Sequence, residues 1–171
     1  MNRIELFNEV QCWLETEELY FMVSEEGTDF QVRMNIDTGL VQVRLLCEES
    51  PAMLQVICTL PVKVPKERTA VVALMLHNLN LRLRIGAFHL VMEDRLVTFR
   101  LAIPIRHDLD LRKQFREAFS TTLGTMDEHL RPLSLSLCST AEAQAMVAKL
   151  TPHDESGITH LRLAGGRLEL N

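Results

Sequence analysis

The chain has 171 residues, of which 47% are hydrophobic and 24% are charged. This composition is typical of one globular domain and excludes extensive disorder, collagen-like repeats and low-complexity sequence. With 18 basic and 23 acidic residues the formal net charge is −5, which argues against nucleic-acid binding through bulk positive charge.

The N-terminal sequence and the longest apolar stretch indicate a cytoplasmic protein that does not enter membranes. Arg3, Glu5 and Glu9 interrupt the first apolar residues, so no signal-peptide core is predicted. No uncharged stretch is longer than residues 69–81, whose 13 residues are fewer than the roughly 20 that a membrane span needs. We therefore read this stretch as part of a buried helix.

The first predicted element is an amphipathic helix over residues 2–18. Apolar residues recur there every three or four positions, which is the period of one helix face. Asn2 is a candidate N-cap, and Trp13 lies on the apolar stripe. We expect Trp13 to be a core residue and not a ligand platform.

A three-stranded antiparallel meander follows, because apolar and polar residues alternate over 30–36, 41–47 and 54–60. A turn at Thr38-Gly39 would place Ile36 opposite Val41, with all apolar pairs on one face. A four-residue loop at 49–52 would place Cys47 opposite Leu54.

The polar face of this meander carries two arginines. The predicted register places Arg33 directly opposite Arg44, and like charges in that position repel. Two interpretations remain open at this point: solvated side chains with an acidic residue nearby, or a contact for an anion or an acidic segment.

A helix opens at Pro65, a residue suited to the first helical position, and is predicted to end near Leu83. It has two apolar stripes, so it must be covered on two sides. One stripe, expected to face the sheet, comprises Val72, Leu76, Leu79 and Leu83.

The second stripe of this helix has nearly heptad spacing and is the predicted dimer or partner interface. Its cover is either a second subunit or the terminal helices of the same chain. Asn78 and Asn80 interrupt the apolar helix, and a buried Asn there would need partners and could fix helix register. The predicted interface comprises Val71, Leu74, Asn78, Leu81 and Ile85.

A hairpin follows, with its turn at residues 93–94, and this turn places Phe88 opposite Phe99. A long helix capped by Asp108 or Asp110 comes next. The order of predicted elements is therefore α-β-β-β-α-β-β-α, which is typical of an α+β fold with an antiparallel sheet.

The tail, residues 132–171, has a different pattern and is predicted to be an extension packed on a domain of residues 1–131. Pro132 is expected to end the long helix, and alternating leucines over 133–137 predict a short edge strand. A short helix over 139–150 and a hairpin about residues 165–166, which would place Leu163 opposite Leu168, complete the extension.

No motif for a protease, hydrolase, P-loop or dinucleotide site is present, and no catalytic, cofactor or metal residue is predicted. The four cysteines lack metal or redox spacing and are expected to be small buried hydrophobes. The densest acid-base cluster is His153, Asp154 and Glu155, followed by His160. It is read as a solvated loop, and the alternative is a metal-dependent or enzymatic protein that uses it.

One region combines several features in a fixed order. They are Val64-Pro65 at the helix start, Asn78 and Asn80 within the helix, Gly86 and Phe88 after it, and a strand at 99–104 before a long helix. In this combination, within residues 60–105, the sequence resembles the YbjN family of bacterial proteins. The resemblance spans roughly residues 1–131 and does not include the tail.

The resemblance implies a fold like that of the type III secretion (Tir) chaperones, which are often dimeric. It implies no catalytic residues, and members of the family are described as sensory transduction regulators. Together with the doubly apolar helix, this favours a non-enzymatic binding module with a chaperone-like or regulatory role. The expected partners are a second copy of the chain and an extended segment of another protein, with no nucleic acid, membrane or cofactor.

Overall fold

The computed structural model describes residues 1–37, 39–49, 51–137, 159–164 and 167–170. In chain order the elements are α1 (Arg3–Thr16), β1 (Phe21–Val23), β2 (Asp29–Ile36), β3 (Gly39–Glu48), β4 (Met53–Lys63), α2 (Thr69–Asn80), β5 (Ala87–Val91), β6 (Leu96–Pro104), α3 (Leu111–Leu137), β7 (Thr159–Ala164) and β8 (Arg167–Leu170). A short 3₁₀ turn, Lys66–Arg68, leads into α2. The predicted α+β order is confirmed, apart from the three-residue strand β1, which the sequence pattern missed.

The strands form a sheet in the order β5-β6-β4-β3-β2, and strands β1 to β6 pair in antiparallel fashion. Strand β1 pairs with the first half of β2, at Phe30 to Val32. Strand β7 runs parallel to β2 and pairs with it at Met34 and Asn35, and β8 pairs with β7. The C-terminal hairpin therefore extends the sheet beyond β2.

Three predicted registers are confirmed. Cys47 lies opposite Leu54 between β3 and β4, and Phe88 lies opposite Phe99 between β5 and β6. In the C-terminal hairpin, Leu163 lies opposite Leu168.

The predicted register between β2 and β3 is wrong by two residues. Ile36 pairs with Gly39 and not with Val41, so the connection between the strands lies earlier in the chain. Gly39 has a φ of +144°, in a region that favours glycine. A shift by two residues leaves every side chain on its predicted face, so the apolar pattern cannot distinguish the two registers.

The core lies between one face of the sheet and the helices. Helix α1 begins with a capping box, in which Asn2 Oδ1 accepts a bond from the Glu5 amide at 2.9 Å. Trp13 is 1% exposed, and its ring packs edge-on against Phe115 and Phe119 at centroid distances of 6.0 and 5.5 Å. Trp13 is therefore the core residue that its position on the stripe predicted.

Helix α3 continues to Leu137, so the expected helix end at Pro132 and edge strand at 133–137 are wrong. Leu133 is 1% exposed in the core, and this packing offsets the backbone hydrogen bond that proline cannot donate. Asp110, one of the two predicted caps, accepts a bond from the Lys113 amide at 3.2 Å. The predicted boundary between residues 131 and 132 falls inside α3. The predicted helix at 139–150 lies outside the described residues.

Candidate functional site

The two stripes of α2 have different surroundings. Val72 and Leu76 are 1% and 2% exposed, and Leu79 and Leu83 pack partly buried against the core. This stripe therefore faces the interior, as its spacing predicted. The helix ends at Asn80, three residues before the predicted end.

The second stripe is exposed to solvent. Val71, Leu74, Leu81 and Ile85 are 60%, 61%, 72% and 56% exposed, and Asn78 is exposed between them. We call these five residues the α2 face. Helices α1 and α3 leave it uncovered in the part of the chain that the structure describes. The predicted terminal helix at 139–150 lies outside that part, so a cover by this helix stays an alternative to a second subunit.

The two asparagines of α2 have different positions. The Asn80 side chain donates to the carbonyl of Phe88 at 2.9 Å and accepts from its amide at 2.7 Å. These bonds join α2 to β5, which lies at the edge of the sheet, and satisfy backbone groups that the edge would otherwise expose. Asn80 therefore has a structural role, whereas Asn78 is exposed in the single chain and does not need a buried partner.

The second feature is the sheet face that points away from the core. It forms an open concavity of about 470 Å³, which extends across five strands. We call this surface the open face. The concavity is lined by Gln31, Gln42, Arg44, Ile57, Thr59, His89, Val91, Asp94, Leu96, Thr98 and Arg100.

The predicted opposition of Arg33 and Arg44 is wrong, because it depended on the incorrect β2–β3 register. Arg33 lies opposite Gln42, and Arg44 lies opposite Gln31. The two arginines therefore do not form a directly opposed pair, although both lie on the polar side of the sheet.

Arg44 forms an ion pair with Asp29. Its Nε and Nη2 atoms donate to the two carboxylate oxygens at 2.6 and 3.0 Å, and Asp29 is 1% exposed. Burial alone would raise the pKa of Asp29, but bonds from Arg44, Ser24 and Thr28 together with the Arg44 charge outweigh it and lower that pKa. One of the two interpretations from the sequence expected an acidic residue near the arginines. Arg44 has such a neighbour in Asp29, which compensates its charge.

The buried cysteines are poor nucleophiles at neutral pH. Burial raises the pKa of the Cys47 thiol to about 12 and raises that of Cys58 as well, so both remain protonated. Their predicted role as small buried hydrophobes is confirmed. Cys12 is exposed instead, and Cys138 lies outside the described residues.

The described residues contain no group of three or more His, Cys, Asp and Glu side chains arranged to hold a metal ion. His153, Asp154 and Glu155 lie outside these residues, and only the backbone of His160 is described, in β7. No described helix combines the length and apolar character needed to cross a bilayer.

The family model for YbjN, described as "Putative bacterial sensory transduction regulator", matches residues 7–134. The chain belongs to the YbjN family. The resemblance seen around residues 60–105 is therefore confirmed.

Two solved structures are similar to the chain. The crystal structure of YbjN from E. coli matches with a TM-score of 0.52 at 10% identity, covering 73% of this chain and 91% of that one, which shows a shared fold. A structure of the HopA1-SchA chaperone-effector complex matches at 20% identity and a TM-score of 0.45, covering 77% of this chain and 98% of that one. A comparison with curated proteins found no match.

Proposed function

We propose that this YbjN-family protein is a non-enzymatic protein-binding module with a chaperone-like or regulatory role, and that it works in the cytoplasm as a homodimer. The observation that carries the proposal is the exposed α2 face. The family description as a regulator supports a role without catalysis. We also propose that the chain beyond α3 is an extension packed on the family domain, which the pairing of β7 with β2 supports.

The α2 face is costly to leave in water. Four large apolar side chains are more than half exposed along one helix and the turn that follows it. Burying one side chain of this kind contributes about 1.5–3 kcal/mol. Contiguous apolar patches of this type mark interaction surfaces in soluble proteins.

The spacing of the α2 face fits a second copy of the chain. Its residues follow one another at intervals of three and four, with Asn78 in the middle. A two-fold axis through the middle would bring Asn78 against Asn78 of the second copy, and Leu74 against Leu81. The amide group of Asn both donates and accepts, so it can pair with itself.

The mass of the protein in solution tests the dimer. Size-exclusion chromatography with light scattering should show about twice the 19.5 kDa of one chain. Leu74→Glu puts a charge in the proposed interface and should reduce the mass to that of one chain. Ile4→Glu is the matched control, because Ile4 is 70% exposed on α1, and it should leave the dimer intact. A wild-type protein with the mass of a single chain at micromolar concentration would contradict the dimer.

A further inference from the structure

We propose that the open face binds an extended acidic segment of a partner protein, with Arg33 and Arg100 as its cationic contacts. This inference rests on the proposed protein-binding role but not on the α2 dimer. It names the chemistry of the segment and the surface that holds it.

The geometry of the open face follows from the strand register. Arg44, Ile57 and Arg100 lie directly opposite one another on the neighbouring strands β3, β4 and β6. Neighbouring strands are about 4.8 Å apart, so the backbone positions of Arg44 and Arg100 are separated by roughly 10 Å. The apolar Ile57 lies between them. In the next row, Arg33, Gln42 and Thr59 lie opposite one another in the same way. Arg33 therefore lies on the same side of the sheet, next to the concavity and not in its lining.

The charge of this face is only partly compensated. Asp29 neutralises Arg44, and Asp94 also lines the concavity, in the turn between β5 and β6. No carboxylate among the described residues, Asp94 included, lies within ion-pair distance of Arg33 or Arg100. The side chains of Arg33 and Arg100 are both exposed. They are local positive groups on a chain whose formal net charge is −5. A guanidinium presents a planar pair of donors that matches a carboxylate, so acidic side chains are the complementary groups.

The shape favours an extended segment over a small anion. The concavity crosses five strands, a width of roughly 19 Å at the usual strand spacing, and it is open to solvent. Its floor mixes arginine and amide side chains with the apolar Ile57 and Leu96. Because successive side chains of an extended peptide point to opposite sides, a peptide with acidic and apolar residues in turn at every second position would present both kinds to this floor. Nucleic acid would require a much larger basic surface.

Fluorescence anisotropy with the 171-residue chain tests the inference. The probe is a labelled synthetic peptide of about ten residues in which Glu and Val occupy every second position in turn, with Ser between them, so that both can face the sheet. The comparison probes are the same peptide with Lys in place of Glu and a single-stranded DNA oligonucleotide. The variant is Arg33→Gln with Arg100→Gln, and Arg84→Gln is the matched control, because Arg84 is an exposed arginine in the turn after α2.

We expect the acidic peptide to bind at least about ten-fold more tightly than the basic one, and more weakly at high salt. The double variant should lose about ten-fold in affinity with an unchanged thermal midpoint, and Arg84→Gln should bind as the wild type does. Equal binding of both peptides, no binding of the acidic peptide, equal loss in Arg84→Gln, or tighter binding of the DNA would each overturn the inference. A dimer in light scattering without peptide binding would remove this inference and leave the proposed dimer standing.

Discussion

At the scale of single residues, Gly86 fixes the join between α2 and β5. Its φ is +70°, and a Cβ at this position would overlap the Phe99 ring and lie 3.0 Å from the Arg100 carbonyl oxygen. Both the backbone conformation and the close approach therefore require glycine.

Gly86→Ala should lower the free energy of unfolding by more than about 1 kcal/mol, because it adds backbone strain and a steric clash. Gly124→Ala is the control, since Gly124 lies in α3 with no atom within 4 Å of an added Cβ. It should raise stability by about 0.5–1 kcal/mol. Urea unfolding of both variants measures the difference in the free energy of unfolding. Equal changes in this free energy would show that the close approach at Gly86 does not affect stability.

The Asp29–Arg44 pair predicts a pH dependence. Because the pKa of Asp29 in the folded state lies below its ordinary value of 3.8, its contribution is present above that value and is lost as pH falls through the lowered pKa. Arg44→Ala leaves the buried carboxylate without its main donor and should cost about 1–3 kcal/mol at neutral pH.

The dependence of the Arg44→Ala stability loss on pH tests whether the ion pair is its origin. The difference in unfolding free energy between wild type and Arg44→Ala should shrink as pH falls below 3.8 and through the lowered pKa of Asp29, where the carboxyl becomes protonated. Arg33→Ala removes an exposed arginine of the same sheet and should change stability by less than about 0.5 kcal/mol at any pH. A cost for Arg44→Ala that stays constant from neutral to acid pH would show that the ion pair is not its origin.

At the scale of elements, the contact between α2 and β5 depends on Asn80. Asn80→Ala leaves the amide and carbonyl of Phe88 without the partners seen in the fold and should cost about 1–3 kcal/mol. Hydrogen exchange should show faster exchange of the Phe88 amide in this variant. His77→Ala, at an exposed position of the same helix, should leave that exchange unchanged. Full protection of the Phe88 amide in Asn80→Ala would contradict this role.

The elements also show what periodicity can predict. The two stripes of α2 were assigned to the correct sides, because buried and exposed apolar residues recur with the period of the helix. The β2–β3 register and the end of α3 were not predicted correctly. A two-residue slip leaves the faces of a strand unchanged, and the core contact of Leu133 outweighs the helix-breaking tendency of Pro132.

At the scale of the whole molecule, one core joins the sheet to α1, α2 and α3, while two surfaces remain without a cover in the described residues. The α2 face is apolar, and the open face is polar with arginines. The proposed dimer would use the first, so its stability should depend on protein concentration. The proposed acidic segment would use the second, so its binding should depend on salt.

The sequence by itself determined the α+β order, the faces of strands β2 to β6, the register of three hairpins and the residues of the α2 face. These features follow from local turns and from the periods of helix and strand, which any chain must obey to bury its apolar side chains. Only the tertiary structure decided that Arg44 pairs with Asp29, that Asn80 bonds to Phe88, and that Arg44 and Arg100 line one concavity. Such contacts join residues from different elements, and their distances depend on the register and curvature of the folded sheet, which hydrophobic pattern leaves open.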